Sequence, residues 1–192
     1  TRNDSALNEI DARALEYFDE NSLLFLKEDY SQIPDKTKAA VWFEQESNRV
    51  NEYVLLNKWI DLLKQCGTDE NFVWYASDNK EKEEIRKFRH ALAWKVSDYL
   101  SKNNFKKLGT DLAVPDEKFE ELYFYSKGIV DDAGLFFLAY GHFGNSHLHL
   151  NMLPKNNEEY LKGKELYKLI CEKAVSLKGT VSAEHGIGKL KR

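Results

Sequence analysis

Three of the chain's five histidines fall between Tyr140 and Pro154: His142, His147 and His149. A neutral imidazole offers a nitrogen lone pair to a metal, and imidazoles held close together are the usual start of a site for zinc or a similar divalent ion. A lone histidine is more often a hydrogen-bonded structural residue. The metal interpretation therefore depends on how the chain positions these three side chains and on a further ligand.

The elements around the histidines have the pattern of a β-hairpin. An apolar run that ends at Tyr140 is followed by the turn-forming sequence Gly144-Asn-Ser146 and then by strict alternation of polar and apolar residues. Successive side chains of a strand face opposite sides. The apolar side is predicted to enter the core: Leu148, Leu150 and Met152. The other side is predicted to form a site that His142 joins from the partner strand: His147, His149 and Asn151.

Glu184 is the candidate third ligand. Two imidazoles and a carboxylate suit zinc, manganese or iron and leave a coordination position open for a substrate. Such an ion would polarise a bound hydroxyl or water and lower its pKa. The neighbouring His185 would then be a natural general base, because the pKa of histidine lies near neutrality. On a charged helix, Arg89 is either solvated surface or a clamp for a carboxylate.

The rest of the chain is predicted to alternate between short strands and helices. Strands are predicted at 39–44, 72–76, 110–114 and from 179 toward a glycine-rich turn that ends at Gly188, and helices at 46–65, 78–102, from Pro115, and at 157–177. Short, half-apolar strands favour an α+β fold in which helices cover a largely antiparallel sheet, as one domain over residues 1–192. No Gly-x-Gly-x-x-Gly follows a strand, so a Rossmann nucleotide site is not indicated.

Composition excludes several classes of function. The chain has 28 basic and 32 acidic side chains among 192 residues and a net charge of -4, so no basic footprint points to nucleic acid. The apolar runs are shorter than the ~20 residues that span a bilayer, which predicts no transmembrane segment. The expected location is cytoplasmic or peripheral at a membrane. The sequence begins without Met and stops at Lys191-Arg192, directly after a glycine-rich segment. We therefore expect it to be a piece of a longer protein.

Three segments carry a resemblance to a known family. Lys107-Leu-Gly-Thr-Asp-Leu-Ala-Val-Pro-Asp-Glu117, Gly141-His-Phe-Gly-Asn-Ser-His-Leu-His-Leu-Asn151 and Gly179-Thr-Val-Ser-Ala-Glu-His-Gly-Ile-Gly-Lys189 resemble the C-terminal substrate domain of FAD-linked oxidases. That group contains D-lactate and D-2-hydroxyglutarate dehydrogenases and glycolate oxidase, and Phe88-Arg-His-Ala-Leu92 adds to the likeness. The resemblance implies a ferredoxin-like α+β domain that caps FAD held by a separate flavin-binding domain.

The resemblance also implies roles for single residues. The family's metal ligands fall on His142, His149 and Glu184. Its catalytic base falls on His185. The implied substrate-binding residues are Arg89, for the carboxylate, and Asn151, with Lys107 in place of a family lysine that is missing at Gly109. Which residues contact the cofactor is unknown.

One departure from the family's pattern concerns His147, which stands where the commoner hairpin has an asparagine. It either adds to the metal shell or lines the substrate pocket. This variant resembles large flavin oxidases that carry iron-sulfur clusters in a further C-terminal region, so an iron-sulfur domain or another electron acceptor is a further expected partner.

These observations predict the substrate- and metal-binding domain of a flavin-dependent oxidoreductase that acts on a small 2-hydroxy acid. The fragment alone is expected to be inactive, because the flavin would be bound mainly outside it. Two alternatives remain open from the sequence. One is a metal-dependent hydrolase that uses the same three ligands to activate water, and the other is a non-catalytic structural domain.

Overall fold

The computed structural model describes residues 9–104 and 106–186. Its strands are β1 (Ala14–Asp19), β2 (Ala39–Glu44), β3 (Leu108–Gly109), β4 (Leu112–Ala113), β5 (Phe137–Gly141) and β6 (His147–Met152). Its α-helices are α1 (Glu20–Lys27), α2 (Glu52–Gln65), α3 (Asn79–Asn103), α4 (Asp116–Asp132) and α5 (Asn157–Ser176). Single 3-10 turns lie at Glu70–Phe72 and Phe143–Asn145.

The described residues form two compact units. The first contains residues 9–15 and 42–89, and the second contains residues 16–41, 90–104 and 106–186. In the first unit Leu55 is the buried residue of α2, Phe43 stacks on Trp59 with ring centroids 4.0 Å apart, and the Arg89 guanidinium lies 5.0 Å from the Trp42 ring centre.

The second unit is built around a mainly antiparallel sheet. In this sheet β1 pairs with β5, β5 pairs with β6, and β6 pairs with both β3 and β4. Leu148, Leu150 and Met152 of β6 are fully buried, as the alternation predicts. Helices α4 and α5 pack on this core through residues that include Val130 and Ile170. The prediction of an α+β fold with a largely antiparallel sheet is confirmed.

Helices α4 and α5 begin at residues that favour a helix N-terminus. Pro115 precedes α4, and Asp116 and Glu117 occupy the first turn, where the helix dipole favours acidic side chains. At α5 the Asn156 side chain accepts a hydrogen bond from the backbone N–H of Glu159 at 2.9 Å. These two helices therefore begin where the sequence predicts.

Four predicted elements differ from the structure. The predicted strand 72–76 is not formed: Phe72 ends a 3-10 turn, and the apolar side chains after it have no partner strand among the described residues and remain partly exposed. Helix α2 begins at Glu52 instead of residue 46, after a turn in which Asn48 and Asn51 bond each other's backbone. Within the predicted strand 110–114 the structure has a strand only at β4, Leu112–Ala113, which the turn at Thr110 and Asp111 separates from β3 at Leu108–Gly109. The segment after 179 forms one isolated bridge, between Thr180 and Ala113, and Gly188 lies outside the described residues.

No helix within 9–104 and 106–186 has both the length and the apolar character needed to cross a membrane.

Candidate functional site

The hairpin brings the three histidines together. Tyr140 of β5 lies opposite His149 of β6, and His142 follows the end of β5. The centre of the His149 ring lies 5.7 Å from that of His142 and 4.2 Å from that of His147. The predicted closure of the turn therefore occurs, and both histidines of β6 lie on the side away from the core leucines.

Glu184 reaches the histidines from the segment after α5. Its Oε1 atom lies 3.3 Å from His142 Nε2 and 4.0 Å from His147 Nδ1, and its Oε2 atom lies 3.8 Å from His149 Nε2. One donor atom from each of the four side chains lies within 4.8 Å of all the others. Ligands bound tetrahedrally at 2.0–2.1 Å would be separated by about 3.3 Å. Small side-chain rotations would therefore bring these donors to bonding distance around one ion.

Each histidine has its other ring nitrogen against a hydrogen-bond acceptor. His142 Nδ1 lies 2.8 Å from Glu16 Oε1, His149 Nδ1 lies 3.1 Å from the Thr110 carbonyl oxygen, and His147 Nε2 lies 2.9 Å from Asp111 Oδ1. Carboxylates and carbonyls accept but do not donate, so these three nitrogens carry the ring proton. In the neutral form of each ring, the opposite nitrogen then holds a lone pair.

Those lone pairs converge on the Glu184 carboxylate, which makes the cluster chemically suited to a cation. Three lone pairs and a negative group repel one another unless a positive charge lies between them. Burial lowers the pKa of His149, the Thr110 carbonyl opposes that shift, and nearby His147 and His142 add to it. A lowered pKa keeps the imidazole neutral, the form that binds metal. The residues present therefore fit a divalent ion with nitrogen and oxygen ligands.

Asp111 ties this site to the segment that carries Glu184. It is 1% exposed and lies in the turn between β3 and β4. Its carboxylate accepts hydrogen bonds from the backbone N–H groups of Glu184 at 3.1 Å and His185 at 3.0 Å, and from the hydroxyl of Ser182 at 3.4 Å. The Asp111 carboxylate therefore binds both the His147 ring and the backbone at Glu184 and His185.

His185 lies at the open side of the cluster. Its side chain is 66% exposed, its Nε2 atom lies 3.9 Å from Glu184 Oε2, and its ring centre lies 5.5 Å from that of His149. The chain bends at Gly186, where φ is +68°. The His185 ring lies on the same side as the Glu184 side chain. A substrate at the cluster would be within reach of this imidazole.

Asn151 and Lys107 come together over Gly109. Gly109 of β3 pairs with Asn151 of β6, and a Cβ built on Gly109 would lie 2.6 Å from Asn151 Oδ1 and 3.8 Å from Lys107 Cε. The space that a side chain at 109 would need is thus occupied by these two. Desolvation lowers the pKa of the Lys107 ammonium, although much of the residue is exposed.

Arg89 belongs to the first unit, where its guanidinium lies over the Trp42 ring. The cluster of His142, His147, His149 and Glu184 belongs to the second unit. The structure therefore brings together all the predicted metal ligands with His147 and His185, and it describes Arg89 within a different unit.

Sequence reasoning missed Glu16, Thr110 and Asp111, which orient the three rings. Each is buried, with exposures of 4%, 3% and 1%. Asp111 carried a usable signal, since it is an acidic residue inside the apolar run Leu108 to Val114 and such residues are seldom buried without a partner. Glu16 had a weaker signal of the same kind, between Leu15 and Tyr17.

The fold and the cluster define an α+β domain with a candidate divalent-metal centre on one face of its sheet. A family model for the C-terminal domain of FAD linked oxidases matches residues 5–192. The chain belongs to this family.

Curated relatives agree with the assignment. Over 190 residues, 95% of this chain and 32% of the relative, the chain is 28% identical to "D-lactate dehydrogenase [cytochrome] 1, mitochondrial" from Saccharomyces cerevisiae. It is 30% identical to a "Probable D-2-hydroxyglutarate dehydrogenase, mitochondrial" from Oryza sativa subsp. indica, over 51% of this chain and 18% of that one. It is 25% identical to "Glycolate oxidase subunit GlcD" of Bacillus subtilis, over 92% and 37%.

A solved structure of alkyldihydroxyacetonephosphate synthase shares the fold, with a TM-score of 0.52 and 14% identity over 92% of this chain and 35% of that one. The chain thus spans about a third of the length of the proteins that it matches along most of its own length.

Proposed function

We propose that this chain is the substrate- and metal-binding domain of a flavin-dependent oxidoreductase that oxidises a small 2-hydroxy acid. The observation that carries the proposal is the convergence of imidazole lone pairs on Glu184, each ring being held by an acceptor behind it. The relatives named for lactate, 2-hydroxyglutarate and glycolate supply the substrate class. The family's name supplies the cofactor, FAD, which a separate domain of the same protein would mainly bind.

His142, His149 and Glu184 would hold a divalent ion such as zinc, manganese or iron. When bound, the ion would supply polarisation of the substrate hydroxyl, and the flavin would supply the electron acceptor. Glu16 and Thr110 would keep His142 and His149 in the tautomer that leaves Nε2 free. The chain's own contribution is thus to orient the ligands before the substrate arrives.

His185 is the proposed base that takes the proton from the substrate hydroxyl. Its exposed ring beside Glu184 supports that role, because a base must reach the substrate and exchange its proton with solvent. Asn151 and Lys107, which meet over Gly109, are proposed to bind the polar groups of the substrate. Arg89 is proposed to bind the substrate carboxylate, since a guanidinium can form two parallel hydrogen bonds to it.

Membership of a flavin-linked family favours oxidation over hydrolysis by the same ligands. The alternative, in which the histidines are only structural, predicts that the chain binds no metal. Further partners, such as an iron-sulfur domain or another electron acceptor, remain part of the proposal, as does a location in the cytoplasm or at the periphery of a membrane.

The test uses the full-length protein with its flavin domain, mixed anaerobically with a panel of D-2-hydroxy acids while the flavin absorbance is followed. We expect at least one acid to bleach the flavin. The His185→Gln variant should bind that acid but reduce the flavin about 10²–10⁴-fold more slowly, the usual contribution of a general base.

The matched control is His90→Gln, which makes the same change at an exposed position of α3 and should reduce the flavin at the normal rate. If no acid of the panel reduces the flavin, the proposed reaction is wrong. If His185→Gln and His90→Gln behave alike, His185 is not the base.

A further inference from the structure

His147 has no assigned role among the three ligands of the proposed metal site. It is 3% exposed, and its Nε2–H donates to Asp111 Oδ1 at 2.9 Å. That bond leaves the lone pair on Nδ1. Nδ1 lies 4.0 Å from Glu184 Oε1, and the ring centre lies 5.6 Å from that of His142. His147 therefore presents a donor to the same point as His142 and His149.

The hydrogen bond to Asp111 has the form that orients a metal ligand. Histidines that bind metals usually donate their other ring N–H to a carboxylate, a carbonyl or water, which fixes the ring and raises its basicity. His142 has the carboxylate of Glu16 in this position, and His147 has that of Asp111. A residue that only lined a substrate pocket would not need its ring fixed with a donor atom toward the ligands.

Asp111 adds a second reason. Its Oδ1 atom accepts both from the His147 ring and from the backbone N–H of Glu184, while Oδ2 accepts from the backbone N–H of His185. Two parts of the cluster that are distant in sequence therefore share one buried anchor. Movement of either part would break hydrogen bonds to a buried charge, which is costly.

We propose that His147 is a fourth protein ligand of the metal, positioned by Asp111, so that this chain builds a site of three imidazoles and one carboxylate. This inference rests on the proposed metal site and goes beyond it by one ligand and one positioning residue. Four protein donors fill a tetrahedral ion. A substrate could then bind directly only to an ion that accepts five or six ligands, so the site is expected to work with an ion that expands its coordination.

The test titrates the chain with Co²⁺, whose visible absorption reports the number and type of its ligands. The variant is His147→Asn, which retains a polar side chain and matches the commoner hairpin of the family. We expect it to bind one Co²⁺ at least 10-fold more weakly than the unmodified chain, with a changed spectrum. His90→Asn, the same change at an exposed histidine, should alter neither.

Asp111→Asn tests the positioning role. Loss of a carboxylate behind a ligand weakens metal binding about 10–100-fold, so a loss in that range is expected, together with a Co²⁺ spectrum that differs from that of the unmodified chain. A role in folding alone would lower the melting temperature without changing the spectrum of the bound ion, and that outcome would overturn the positioning role.

The remaining outcomes separate this inference from the proposed function. If His147→Asn matches the unmodified chain in affinity and spectrum while His142→Ala abolishes binding, the fourth ligand is wrong and the three-ligand site stands. If the unmodified chain binds no Co²⁺, both are wrong. Should His147→Asn fail to fold, ¹⁵N NMR of the unmodified chain decides: the His147 Nδ1 resonance must shift when Zn²⁺ is added, and an unchanged resonance would overturn the proposal.

Discussion

Gly141 shows how closely the backbone is fitted around one ligand. Its φ is +131°, a conformation that side chains rarely adopt, and a Cβ at this position would lie 2.6 Å from His149 Cδ2. We predict that Gly141→Ala lowers the free energy of unfolding by about 1–3 kcal/mol through backbone strain alone. It should also weaken metal binding, because the His149 ring must move. Urea unfolding and Co²⁺ titration measure the two effects.

The control for this change is Gly128→Ala. Gly128 lies within α4, and a Cβ there meets no atom within 4 Å. Alanine should stabilise the helix by about 0.5–1 kcal/mol and leave metal binding unchanged. If the two variants shift stability in the same direction, the strain assigned to Gly141 is not present.

At the scale of single residues, the sequence predicted which side chains would meet and not what holds them. His142, His149 and Glu184 stood out because of their types and their spacing. Glu16 and Asp111 are two of 32 acidic residues, and nothing in their local sequence says which histidine each one contacts. A hydrogen bond such as that from His142 to the Glu16 carboxylate depends on which strands pair, and that is decided by the whole sheet.

At the scale of elements, prediction succeeded where a short-range pattern has one structural solution. The alternation after Ser146 buries its leucines on one side of a strand, and Pro115 followed by acidic residues is typical of the start of a helix. It failed where the pattern needs a distant partner. Phe72 to Ala76 has the composition of a strand, yet the 3-10 turn Glu70–Phe72 is fixed by the Asp69 side chain and the residues after it pair with no strand among the described residues.

The junction of β1 and α1 predicts a pH dependence. Asp19 is 6% exposed and accepts hydrogen bonds from the backbone N–H groups of Ser22 at 2.8 Å and Ala139 at 2.9 Å. Burial raises its pKa above the ordinary 3.8, although these hydrogen bonds oppose the shift. A raised folded-state pKa means that the folded chain holds this proton more tightly than the unfolded chain. The resulting stabilisation is full below pH 3.8 and is lost as the pH rises through the folded-state pKa.

Asp19→Asn removes that titration. Asparagine can still cap α1 through its side-chain oxygen, and losing the bond from Ala139 costs the same at every pH. We therefore expect the unmodified chain to lose stability relative to the variant as the pH rises from acid to neutral. Urea unfolding at several pH values measures the free energy of unfolding of both proteins. If the value for the unmodified chain minus that for the variant stays constant or rises with pH, the predicted sign is wrong.

At the scale of the whole molecule, the candidate site joins four parts of the chain: β1 through Glu16, the turn between β3 and β4 through Thr110 and Asp111, the β5–β6 hairpin, and the segment that carries Glu184. These parts contact one another only when the second unit is folded. An ion bound by the hairpin and by Glu184 therefore binds the folded chain in preference to the unfolded one, and its binding energy adds to stability.

The last prediction follows from this linkage. With free Zn²⁺ at 100 times its dissociation constant, the free energy of unfolding should rise by about 2.7 kcal/mol, which for a chain of 192 residues raises the melting temperature by about 5–10 °C. Calorimetry in Zn²⁺ and then in excess chelator measures the shift, which should reverse. His149→Ala removes a donor from the hairpin and should abolish most of the shift, whereas His90→Ala, at an exposed position of α3, should retain it. An equal shift in both variants would mean that Zn²⁺ binds without His149 and therefore outside the proposed site.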